Sequence, residues 1–93
     1  MSRDELNAPG RGPAWIHTIA PADAEGPLGE VYARIRGRSG SVAHILRCQS
    51  LHPEGLACHY ALYRTLMFGE GTLSRADRES IAVVVSVLNR CRY

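Results

Sequence analysis

No run of apolar residues in this 93-residue chain is long enough to span a bilayer, which takes about 18 or more in a row. A transmembrane role is therefore not expected. Charge of one sign is equally scarce. Eleven Lys+Arg against nine Asp+Glu leave a net charge of +2, too little to argue for nucleic acid or a lipid surface as partner. The opening residues, Met1 to Pro13, lack the apolar core of a signal peptide, so export is not expected. Cysteine is confined to Cys48, Cys58 and Cys91. That odd, sparse set excludes the disulfide framework of a small secreted domain and points to a reducing cytoplasm. Metal-ligand spacing is missing too: Cys58 and His59 are neighbours that face different ways on a helix, and His17, His44 and His52 stand apart. No metal or cofactor is implied.

What is present suits one globular domain. Hydrophobic residues make up 45% and charged residues 22%, an ordinary balance. Residues 1–13 carry Pro9, Gly10, Gly12 and Pro13 with little to bury, and are expected to be a flexible lead. Residues 14–93 then form the domain, opening on an apolar patch, Trp15 to Ile19, suited to lying extended across the body. Leu28, Val31, Tyr32 and Ile35 recur at helical spacing and predict a helix from Pro21 to Arg36, ended by Gly37 to Gly40. Arg34, Arg36 and Arg38 read as its solvated end. A shorter helix fits Val42 to Gln49. His52-Pro53 starts a third, Pro53 to Phe68, carrying Leu56, Tyr60, Tyr63, Leu66 and Met67, of which Tyr60, Tyr63 and Met67 read as core positions. Gly69-Glu70-Gly71 breaks it. Leu73-Ser74-Arg75-Ala76-Asp77 has the form of a capping box with Asp77 in the acidic place, opening a fourth helix from Arg75 to about Leu88.

The run Ile81 to Leu88 could also be a valine-rich buried strand. The cap before it and the helical elements upstream favour a helix apolar on every side. As a central helix it should bury both Val84 and Val85; as a surface strand it should bury one of them. The fold class expected is all-α, with about four helices.

Two groups in this region can carry chemistry. Glu79 stands just before the apolar run, and Cys91 twelve residues later. A straight helix would hold them about 18 Å apart, so the chain must turn if they cooperate. Asn89-Arg90 is a plausible turn, with asparagine tolerant of left-handed geometry. Cys91 would then open a further helix, whose positive end favours a thiolate. The plainer readings are that Glu79 is a surface charge favoured by the helix dipole and Cys91 a small buried hydrophobe. Cys48 and Cys58 read as helix-face fillers.

From Trp15 onward the chain resembles the AhpD-like alkylhydroperoxidase family, in the peroxidase-related part of the carboxymuconolactone decarboxylase superfamily. The resemblance rests on Leu62-Tyr63-Arg64, Phe68-Gly69, Leu73-Ser74-Arg75, Arg78-Glu79, Ile81-Ala82-Val83, Ser86 and Asn89-Arg90-Cys91-Arg92-Tyr93. The family signature is a glutamate, then twelve residues on the first cysteine of a Cys-x-x-Cys pair, and a histidine four residues after the second. Glu79 and Cys91 match by spacing, and Arg92-Tyr93 match the intervening pair. The chain as given ends inside that motif. The resemblance implies that residues 14–93 are the N-terminal part of an AhpD-like multihelical domain, with Glu79 and Cys91 as catalytic residues, Cys91 in the resolving role. It also implies a hydroperoxide substrate, a thiol reductant or electron-donor protein, an antioxidant role and a homo-oligomer. A carboxylate paired with an imidazole that deprotonates a thiol is the relay such a set would form. Lactone decarboxylation is a second outcome within the superfamily, against which Cys91 counts. A non-catalytic helical module that only oligomerises is the third.

Overall fold

The computed structural model describes residues 12–37 and 40–91. Among them every regular element is helical, as the apolar periodicity predicts. A 3₁₀ turn, Pro21–Asp23, precedes four helices: α1 (Gly26–Arg36), α2 (His44–Arg47), α3 (Pro53–Phe68) and α4 (Arg75–Leu88). None is long and apolar enough to cross a membrane. The chain divides into two compact units, residues 1–60 and 61–93, with the boundary falling inside α3. Most of the expected flexible lead, and Arg38 in the basic cluster, lie outside the described residues.

The first unit holds the packed core. Leu28, Val31 and Tyr32 bury the predicted stripe of α1 against Val42 and Leu56, with Ile19, Ile35 and Leu46 partly buried around them. The helix begins five residues later than the periodicity predicts. Gly26 has φ +57° immediately before Pro27, a left-handed kink that disconnects Pro21–Asp23 from the helix proper. At the other end Gly37 (φ +47°) and Gly40 (φ +73°) take the left-handed positions expected of glycines beyond a helix. The second predicted helix is reduced to His44–Arg47. Beyond it Gln49, Ser50 and His52 each donate a backbone bond three residues back instead of four, which carries the chain into Pro53.

The apolar patch at 15–19 divides. Trp15 and Ile16 are exposed, whereas Thr18 is fully buried. Ile19 is anchored through its backbone: its N–H donates to Ser50 Oγ at 2.8 Å, and its carbonyl accepts from the Tyr32 hydroxyl at 2.7 Å. Burial pushes the Tyr32 phenol above its ordinary pKa of 10.0, against the opposing pull of its Ser50 hydrogen bond and the nearby Arg47 charge. α3 starts where Pro53 predicts. The His52 carbonyl accepts the first helical bond from Leu56 at 3.0 Å, and its ring Nδ1 accepts from Gly55 N–H at 2.8 Å, the work of an N-cap side chain.

In the second unit the helix boundaries agree with the sequence at both ends. Gly69 follows α3 because its N–H closes on the Thr65 carbonyl, where a Cβ would stand 2.5 Å from that oxygen. Ser74 caps α4, its Oγ accepting from Asp77 N–H at 3.1 Å, as the capping-box pattern predicts. Between the helices Phe68 is gripped by cations. The Arg75 and Arg64 guanidinium carbons lie 4.3 and 4.9 Å from its ring centre, and Tyr63 meets it edge-on at 5.9 Å.

Candidate functional site

The run Ile81 to Leu88 is helical, yet its side chains are not covered by the described residues. No residue of α4 is buried, and Val84 and Val85 are 56% and 53% exposed. Neither burial pattern drawn from the sequence is therefore met.

One side of α4 forms an open groove of about 630 Å³ with the end of α3, entirely within the second unit. Leu66, Met67, Leu73, Ile81, Ala82 and Val85 make its apolar wall. Arg78, Ser86, Asn89 and Cys91 supply its polar groups. Met67, which its helical spacing assigns to a core, lines this groove instead. Arg78 is steadied by donating to the Gly69 carbonyl, so the guanidinium also ties the loop to α4.

Cys91 reaches the groove through the way α4 ends. Arg90 N–H donates to the Val87 carbonyl at 3.0 Å, and Cys91 N–H to the Ser86 carbonyl at 2.9 Å. Arg90 sits between them at φ +55°. This pair of bonds is a Schellman closure, which satisfies carbonyls the helix end would leave open. The Asn89 side-chain amide adds a bond to the Val85 carbonyl at 2.8 Å. A turn at 89–90 is thus present, but the left-handed residue is Arg90, while Asn89 keeps φ −90°. Within the described residues Cys91 follows a helix C-terminus.

Glu79 lies on another flank. Its carboxylate is paired with Arg75, one turn earlier, at 3.5 Å, with both side chains more than half exposed; such a pair contributes little to stability. Nine helical steps, about 13 Å, separate Glu79 from Leu88 at the far end of α4, and Glu79 is not among the groove residues. Glu79 therefore lies in the second turn of α4 and Cys91 three residues beyond its last, and the two expected catalytic residues are not brought together. Cys48 donates its thiol to the His44 carbonyl at 3.2 Å, and none of Cys48, Cys58 and Cys91 is in a disulfide. Among the described residues no three His, Cys, Asp or Glu side chains cluster as metal ligands would.

Sequence reasoning missed Arg78 and Asn89 as parts of this site. Asn89 was legible as a turn residue, and Arg78 had a weaker signal: a glycine-rich loop with bare carbonyls followed by a long donor on the next helix. Comparison of the chain with family models, curated proteins and solved structures found no match.

Proposed function

We propose that this chain carries the acid and the resolving thiol of a thiol-dependent hydroperoxide reductase of the AhpD type. The observation that carries the reading is Cys91, twelve residues after Glu79 and held at the polar edge of an apolar groove. In the proposed chemistry a thiolate attacks one oxygen of ROOH. The S–O bond forms, the O–O bond breaks, and the alcohol leaves with a proton. The second thiolate then attacks the sulfenic sulfur, forming S–S and releasing water, and a dithiol donor returns two electrons. By the resemblance, the attacking cysteine belongs directly after the position of Tyr93 and the histidine four residues further on. Glu79 would hold that histidine's charge. The reading carries with it a cytoplasmic setting, an external thiol donor and self-association.

Dithiol-supported consumption of tert-butyl hydroperoxide tests it. The 93-residue polypeptide is expected to gain one oxygen at Cys91, or to form an intermolecular disulfide, without turnover. A polypeptide extended by that cysteine and histidine should turn over, and Glu79→Gln should slow it by about 10²–10⁴. Turnover by the unextended chain, or indifference to Glu79→Gln, overturns the reading.

A second reading, a non-catalytic helical module that oligomerises, is favoured by the absence of any buried residue on α4. It predicts association that survives Cys91→Ser, and an extended chain that stays inert toward peroxide.

A further inference from the structure

Helical periodicity gives α4 two sides. Ile81, Ala82, Val85 and Ser86 face the groove. Val83, Val84 and Val87 fall on the opposite side together with Ser80, and these valines are 58%, 56% and 68% exposed. Asp77 and Arg90 stand at the two ends of this valine side. Among the described residues neither charged side chain is paired: the α4 ion pair joins Arg75 to Glu79, and Asp77 and Arg90 donate hydrogen bonds through their backbones.

We propose that the valine side of α4 is a two-fold, antiparallel self-association surface, on which Asp77 meets the partner's Arg90. The layout is self-complementary. A dyad passing between Val83 and Val84 sets these two valines against each other, Ser80 against Val87, and Asp77 against Arg90. The acid lies at the positive end of its own helix and the guanidinium beyond the negative end, each the sign that its own helix dipole favours. Ser80 and Ala76 are small, which lets the two backbones approach. Arg90 itself is informative. It occupies a left-handed position where glycine or asparagine is the easy choice, and a residue held there at conformational cost fits a side chain with work to do.

Area sets the strength. Fourteen helical residues span about 21 Å with a width of about 10–12 Å. That footprint is well below the ~800 Å² per partner of a standard stable interface. The dimer is therefore a weak, reversible one. The contacts that define it, Val83 with Val84, Ser80 with Val87 and Asp77 with Arg90, include neither Glu79 nor Cys91, and Cys91 lines the groove side. The surface therefore stands or falls separately from the thiol chemistry.

Sedimentation of the full chain over a concentration series tests the surface, with circular dichroism to confirm that helix content is kept. Asp77→Arg and Arg90→Asp should each weaken the dimer about tenfold, and the double reversal should restore it to within about threefold. Val84→Glu should abolish the dimer while the helix persists, since the position is exposed in the monomer. The proposal is overturned by a double reversal without rescue, by a dimer indifferent to Val84→Glu, or by a chain monomeric to millimolar concentration. A monomer that instead binds detergent micelles would overturn it in favour of an amphiphile as the occupant.

Discussion

Replacing Ser50 by alanine removes the hydroxyl that ties the Ile19 backbone, and with it the Tyr32 side chain, to the first unit. Its hydroxyl accepts Ile19 N–H at 2.8 Å, and the residue is 1% exposed. Alanine removes one oxygen without adding bulk, and no water reaches the site easily to take its place. The cost is the lost bond plus a stranded amide donor, about 1–3 kcal/mol. For a chain of this length each kcal/mol lowers Tm by about 4–8 °C. With a urea slope of about 1–3 kcal/mol per molar, the unfolding midpoint should fall by roughly 1 M. Far-UV circular dichroism follows the midpoint, and amide hydrogen exchange reports the mechanism. Ile19 should lose protection in the variant, while amides of α4, in the other unit, keep theirs. A midpoint within about 0.3 M of the parent, with Ile19 still protected, would refute the reasoning.

Two further outcomes are expected. Burial raises the pKa of Tyr32 above 10.0 in the folded chain, so the fold prefers the neutral phenol; that stability is fully present below about pH 10 and is lost as pH rises through the folded value. Alkaline titration should show tyrosinate absorbance and loss of helix together, and Tyr32→Phe should uncouple them while costing about 1 kcal/mol at neutral pH. Gly69→Ala should destabilise the end of α3, because its Cβ would meet the Thr65 carbonyl at 2.5 Å. Loss of about 1–3 kcal/mol, with faster amide exchange at Phe68 and Gly69, is expected; an unchanged Tm would show that the turn gives way freely.

Much of the helical architecture was legible because it depends on local chemistry. The α3 and α4 boundaries follow from Pro53, Ser74 and the Gly69–Gly71 break, each a backbone rule confined to a few residues. Gly26 was harder: a glycine before a proline signals a turn, but the stripe from Leu28 to Ile35 lies wholly beyond it and does not fix where the helix starts. Val42 to Gln49 was overextended because apolar spacing does not distinguish successive tight turns from a helix. At the site, the turn after Leu88 was legible and its left-handed residue was not, since asparagine is the commoner occupant and Arg90 holds the place. Glu79 and Cys91 were linked by spacing along the chain. The side-chain partner that each finds, Arg75 for the acid and the groove for the thiol, depends on helix phase.

The Ile19 anchorage bears on aggregation. Segment 17–20 has no regular structure, and an irregular stretch between apolar residues is the kind of backbone that can recruit a strand from another chain. Here the middle residue offers neither hand for such a pairing. Its amide is engaged by Ser50 and its carbonyl by Tyr32, from elements separated by thirty-one and thirteen residues. An incoming strand would have to break two part-buried bonds to gain two of its own, with no net increase. Side chains thus do for this segment what a neighbouring strand does inside a sheet, and they close its edge.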